Sequence, residues 1–311
     1  MKKFFNSFTR LLAAVLVAGA IFFPAKSFAA EMNPADVEAF REALANDSDP
    51  LDRVFRQQVF LVAMPFIGDL DFLGMVDGDT FKATGEFAFW TYNEDGSSTD
   101  KSIPFYVVQN KTEMVVYFKT GKQWEKFTAP SLSGAIMELI TKPSAQEIDD
   151  LINNETKDVI VLQEDENRRV LLVKLDGEKI ADSLKLLSAQ NPAEDTAAVD
   201  VNMQDTATNY IDSALRTGDM WYMWTIDKRD WHTVTMQFNF SGFLQGLGRA
   251  ALNDPKQMWP DEMRKLLETI AYYSELRAYT MYPSDPAVKK KFDIPKNVLK
   301  AKEISALPTT K

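Results

Sequence analysis

Thr80-Phe81-Lys82-Ala83-Thr84-Gly85-Glu86-Phe87-Ala88-Phe89 is the stretch that decides the fold class. Phe81, Ala83, Gly85, Phe87 and Phe89 alternate with Lys82, Thr84 and Glu86. A period of two means a strand with one dry face and one wet face. The turn residues Asp77-Gly78-Asp79 precede it, and the polar run Asn93 to Lys101 follows. Ile103 to Gln109 and Glu113 to Lys119 then read as the arms of a hairpin joined at Asn110-Lys111. Upstream, Arg53 to Val76 is long and apolar and reads as one or two bent strands, with Gly68 and Gly74 as candidate bulges or corners.

The same signal returns in the second half. Trp221 to Ile226 leads through a turn to a strand in which Val234, Met236, Phe238 and Phe240 alternate with Thr233, Thr235, Gln237 and Asn239. Val159 to Gln163 and Val170 to Leu175 form a hairpin, and Glu275 to Tyr282 is a last strand. Between these lie helical spacings. Asn33-Pro34-Ala35-Asp36 opens one helix, with Asn33 as cap and Pro34 in the first turn. Leu132, Ile136, Leu139 and Ile140 mark another, and Ser144 with Glu147 forms a capping box before Ile148, Leu151 and Ile152. Further helices are expected around Ile180 to Leu187, Ala207 to Leu215, Phe243 to Leu247 and Met263 to Ile270. Ala189 to Asp200 reads as a loop. Hairpins interrupted by helices, without regular strand–helix alternation, predict an α+β fold on an antiparallel sheet.

The N-terminus has the layout of a cleavable secretion signal. Lys2, Lys3 and Arg10 precede the apolar run Leu11 to Phe23, Pro24 breaks it, and Ser27-Phe28-Ala29 offers small residues for cleavage after Ala29. The run is shorter than the ~20 residues of a spanning helix. Losing that segment takes the formal charge from −10 to −14. An acidic chain is a poor nucleic-acid partner, because phosphate contacts need clustered Lys and Arg. No later stretch is apolar enough to be a transmembrane segment of the mature chain. With no cysteine there is no disulfide, no thiolate ligand, no cysteine nucleophile and no lipidated cysteine. The expected location is the periplasm or the exterior.

Little in the sequence points to catalysis or to a cofactor. His232 is the single histidine, in line with Val234, Met236 and Phe238, and it reads as a core-side or rim histidine. No nucleophile elbow, phosphate-cradling loop or dinucleotide fingerprint accompanies it. One histidine and no cysteine exclude a His-rich zinc site. Asp69-x-Asp71 and Asp77-x-Asp79 offer hard oxygens for calcium, but neither continues into a full binding loop, and turn chemistry explains them. Met220 to Trp224 combines adaptable and large side chains of the kind that suit greasy pockets.

Several short patterns recur in a fixed order. Ile103-Pro104-Phe105-Tyr106 enters a strand, Val116-Tyr117-Phe118-Lys119 leaves one, and Gly121-Lys122-Gln123-Trp124-Glu125-Lys126 follows. Trp224-Thr225-Ile226-Asp227-Lys228 and Ile294-Pro295-Lys296-Asn297-Val298 come later. In this order the chain resembles the LolA/LppX-type half-barrel envelope proteins, in particular their secreted branch in Firmicutes. The resemblance implies a strongly curved antiparallel sheet with helices covering its concave face. It implies residues 30–285 as one half-barrel domain, between a signal over 1–29 and a charged C-terminal tail over 286–311.

It also implies an apolar cavity for a lipid or the acyl chain of a lipidated protein, and no enzyme activity. Alternation then offers Phe87, Phe89, Phe105, Val107, Met236, Phe238 and Phe240 as the cavity lining, and the Met and Trp content adds Met220 and Trp224. The same residues equally suit a dry core. In that case the chain is a structural or interaction module that binds another envelope protein. A carboxylate-based hydrolase is a third class, and it needs two acids facing each other in a cleft.

Overall fold

The computed structural model describes residues 32–47, 54–63, 66–77, 80–92, 97–110, 112–130, 145–190, 201–282 and 292–304. The expected secretion signal, the helix expected around Leu132 to Ile140 and most of the loop expected after Ala189 lie outside the described residues.

Seven helices and 12 strands are present among the described residues. Helix α1 (Pro34–Asn46) starts as its sequence dictates, with the Asn33 side chain accepting a hydrogen bond from the Ala35 N–H at 3.1 Å. Strands β1 (Val54–Ala63), β2 (Phe66–Asp77), β3 (Thr80–Tyr92), β4 (Ser98–Gln109), β5 (Glu113–Thr120) and β6 (Gln123–Pro130) follow as a meander. At the β4–β5 turn the Asn110 carboxamide oxygen accepts from the Thr112 and Glu113 N–H groups at 2.9 and 3.0 Å. Then come α2 (Ala145–Asn154), β7 (Thr156–Glu164), β8 (Arg168–Leu175), α3 (Gly177–Gln190), α4 (Val201–Thr217), β9 (Trp221–Asp227) and β10 (His232–Asn239). The chain ends with α5 (Ser241–Leu252), α6 (Asp261–Tyr273), β11 (Glu275–Met281), the short α7 (Lys296–Leu299) and β12 (Lys302–Glu303).

All strands join one sheet in the order β12-β6-β5-β4-β3-β2-β1-β11-β10-β9-β8-β7. Every pairing is antiparallel except the short parallel contact of β12 with β6. This is the α+β antiparallel architecture that the alternation predicts. The two halves meet where β1 pairs with β11. Among the described residues no helix is long and apolar enough to cross a membrane.

Register carries the alternation across the sheet. A single lateral row runs Val159, Val173, Tyr222, Phe238, Ala278, Val59, Leu70, Phe87, Ile103, over nine strands without a charged residue. The helices pack on this apolar face. Phe40 and Ala43 of α1 and Ile148, Leu151 and Ile152 of α2 cluster with Val159, Leu171, Val173, Tyr222, Trp224 and Ile226. Leu244 of α5 and Ile270 of α6 cluster with Val59, Leu61, Ala63 and Leu276. The opposite face holds charged pairs such as Arg56 with Asp71 and Lys174 with Asp158.

Two local readings of the sequence are corrected. Gly68 and Gly74 are neither bulges nor corners, since both pair in register on β2. Gly74 instead makes room for an aromatic ring: a Cβ there would lie 2.3 Å from Cζ of Phe55. That ring stacks near Phe81 and meets Phe72 edge-on, with centroids 6.3 and 6.0 Å away. The second correction concerns β10. A bulge between Thr233 and Thr235 adds one residue, so His232 and Met236 do not share a face. Thr233 takes the core side and accepts the Trp224 indole N–H at 2.9 Å.

Part of the charged C-terminal stretch packs on the sheet. Phe292 is buried against Met75 on the face opposite the helices, Val298 is buried, and Lys126 pairs with Glu303 at 2.8 Å beside β12.

Arg169 of β8 is the electrostatic fastener between sheet and α1. Its side chain is 6% exposed and pairs with Glu164 at 2.6 Å and Glu42 at 2.9 Å. It also donates to the Ala39 carbonyl at 2.7 Å and lies over the Trp231 ring. Trp231 itself holds a left-handed φ of 56° in the β9–β10 turn. Replacing Arg169 takes a partner from Glu42 and the Ala39 carbonyl, while Glu164 keeps Lys228, and both carboxylates are more than a third exposed. Water screens the carboxylates left behind, so Arg169→Ala is expected to lower unfolding free energy by about 1–3 kcal/mol, with Arg169→Lys recovering only part. Urea unfolding measures this, and a loss under about 1 kcal/mol contradicts it.

Candidate functional site

The nine residues that the sequence offers as a lining all fall on the helix side of the sheet, or directly flank a strand on that side. They divide into two groups. Met220 and Trp224 are each 3% exposed and belong to the packed core. The Trp224 ring stands edge-on to Phe40 of α1 at 6.2 Å. Met236, Phe238 and Phe240 also pack against the helix-bearing clusters, with the Phe238 and Phe240 rings stacked at 5.9 Å.

Phe87, Phe89, Phe105 and Val107 form the other group. They are half-buried on β3 and β4, and none belongs to a cluster that ties helix to sheet among the described residues. Phe87 and Phe89 stack at 5.6 Å, Phe66 of β2 adds a third ring 5.9 Å from Phe89, and Phe72 lies 6.2 Å from Phe105. Lys101 pairs with Phe89 across β3 and β4, so it shares that face, and its Nζ lies 5.9 Å from the Phe89 ring centroid. The result is an aromatic stripe over β2, β3 and β4 that ends at an exposed ammonium.

Phe66, Phe72 and Lys101 are members that reading the sequence misses. The signal for the two rings was present. Asp69 and Asp71 stand two residues apart and mark the wet face of β2, which assigns Phe66, Leu70 and Phe72 to the dry one. Those carboxylates are not a free ligand pair. The Arg56 guanidinium donates to both Asp71 oxygens at 3.0 and 2.6 Å. Burial and the neighbouring Asp71 hold the Asp69 carboxyl above its usual range.

His232 sits at the β9–β10 turn, where its Nδ1 bonds Asp230. Asp227, Asp230 and His232 could each offer one atom to a cation, all within 4.8 Å of one another. Arg229 already occupies that spot: its backbone N–H and its Nε both donate to Asp227, at 3.0 and 2.9 Å. The arrangement is a neutralised turn.

Glu155 is the one strongly perturbed acid in the core that lacks an ion pair among the described residues. It lies between α2 and β7, 3% exposed, and burial pushes its carboxyl up to about 8. Its charge in turn raises the buried phenol of Tyr222, after burial itself. The phenol it acts on belongs to the helix-packed core and not to the aromatic stripe.

No protein-family model matches the chain, and no curated protein is significantly similar to it. The chemistry open to the molecule is therefore read from its geometry.

Glu155 sets a pH signature. The unfolded carboxyl ionises near 4.5, while the folded one keeps its proton to about 8. Between those values folding takes up a proton, so stability falls as pH rises, by up to about 1.4 kcal/mol per pH unit from this group. Above about 8 the folded form ionises too and the loss levels off. Glu155→Gln is expected to flatten the decline in denaturant midpoint between about pH 5 and about pH 8. An unchanged slope in the variant contradicts the assignment.

Proposed function

We propose that the chain is an exported, non-catalytic binding protein that holds an acyl chain, of a lipid or of a lipidated protein, along the stripe Phe66, Phe87, Phe89, Phe72 and Phe105. The carrying observation is the contrast on one sheet face. Helices α1, α2, α5 and α6 pack against strands β7 to β11 and β1, whereas the rings of β3 and β4 stay half-buried outside those clusters. Ligand sites are mostly apolar, with few polar groups to orient the guest. Lys101 at the end of the stripe suits a fatty-acid carboxylate or a lipid headgroup phosphate.

In this reading the sheet is curled into a half-barrel with the stripe on its concave side, as in the LolA/LppX-type proteins. Chain length is compatible with that. Strands β6 and β7 stand ten strand spacings apart, about 48 Å along the sheet. Pro130 ends β6 and Ala145 begins α2, a link that spans at most about 50–54 Å when fully stretched. Helix α2 adds about 15 Å before β7, so the chain reaches across a flat or a curled sheet alike.

The test is uptake of a fluorescent fatty acid by the purified secreted chain, with solvent extraction and mass spectrometry of what it carries from the cell. Saturable uptake is expected. Phe89→Asp should weaken it about tenfold or more, since a charge on an apolar wall is costly. Lys101→Glu should weaken binding of the free acid while sparing its methyl ester. A chain that yields no lipid and takes up no fatty acid contradicts the proposal.

A further inference from the structure

The opposite face of the sheet carries a cleft of about 440 Å³ that the acyl site does not use. It runs across β9, β10, β11, β1 and β2. Register places Trp221, Asn239, Arg277, Phe60 and Asp69 side by side in one lateral row. Gln237, Tyr279 and Gln58 form the adjacent row. Three aromatic rings are thus interleaved with three carboxamides, and the flanking Asp69 and Arg277 are of opposite sign.

We propose that this cleft is a second binding site, for a neutral carbohydrate chain. Sugars present apolar C–H faces that lie against aromatic rings, and hydroxyl edges that exchange hydrogen bonds with amides, which both donate and accept. Both partners are available here. Phe60 is 39% exposed, unusual for a phenylalanine in a strand flanked by pairs on both sides. Among the described residues the Gln237 carboxamide, the Trp221 indole N–H and the Tyr279 hydroxyl make no side-chain hydrogen bond within the protein. The Asn239 oxygen accepts the Ser241 N–H at 3.0 Å, which leaves its amide donors to face outward.

Other ligand classes fit less well. A nucleic acid needs an excess of cations, and Asp69 offsets Arg277. A purely apolar guest would cover the carboxamides and leave them unpaired. The row from Trp221 to Asp69 spans four strand spacings, about 19 Å, which favours an oligosaccharide over a single sugar.

The experiment titrates the full secreted chain with cellohexaose and with the hexamer of N-acetylglucosamine, read by calorimetry and by tryptophan fluorescence. Saturable binding of at least one is expected. Trp221→Ala should weaken it about tenfold or more and Gln237→Ala about fivefold, with Tyr272→Ala on α6 as an unaffected control. Trp221→Phe, which keeps a ring, should retain most of the affinity and guards against a folding artefact. Failure of both sugars to bind overturns the proposal, as does binding that Trp221→Ala and Gln237→Ala leave untouched. Fatty-acid uptake measured on the same variants should not change, so loss of one site is distinguishable from loss of the other.

Discussion

The pairing of β1 with β11 is the constraint on which the rest of the molecule depends. It joins a meander of six strands to a second, helix-interrupted set, and it does so between residues more than 200 positions apart, as with Val59 and Ala278. The register at this seam keeps the dry faces of both halves in phase. A slip of one residue would turn Gln58 and Phe60 toward the helices and expose Val59 and Leu61. Burial of Val59, Leu61 and Leu276 under α5 and α6 therefore fixes the seam as much as its hydrogen bonds do.

From the seam outward the two halves do different work. On the β7 to β11 side the apolar face meets helices, and two charged residues there are bound tightly or held neutral. Arg169 is enclosed by Glu164, Glu42 and Ala39, and Glu155 keeps its proton. On β3 and β4 the same face continues as rings with no described helix cluster over them, while Phe66 and Leu70 of β2 still touch the α5–α6 cluster. Glycine deepens that contrast: where β2 carries Gly74, the ring of Phe55 lies flat against the backbone. A face that is apolar, ringed and half-buried is suited to a guest that is itself apolar.

Much of this organisation is legible in the residues. Alternation at Phe81 to Phe89 and at Met236 to Phe240 identifies the sheet, and caps such as Asn33 identify helix starts. What is not legible is long-range or depends on a single inserted residue. No local pattern announces that β1 pairs with β11, because the pairing is chosen by burial over the whole chain. The bulge near Val234 exchanges the sides of His232 and Thr233 while the composition of the strand gives no sign of it. The polar run Asn93 to Lys101 reads as a turn, yet Ser98 to Lys101 is strand because Tyr92, Thr91, Trp90 and Phe89 pair with it. Of the lining residues, pattern alone placed the shared face correctly, but it did not separate Trp224, sealed under Phe40, from Phe87 and Phe89. That distinction arises from which helices land where.

The most direct measurement is intermolecular NMR contact between a bound fatty acid and the aromatic rings of the chain. The expected result is a set of contacts from the acyl methylenes to Phe87, Phe89 and Phe105, with the carboxylate end near Lys101 and none to Trp224. Acyl contacts confined to Trp221 and Tyr279 on the other face, or no contacts to any ring at saturating ligand, would contradict the claim that the β2 to β4 stripe receives the guest.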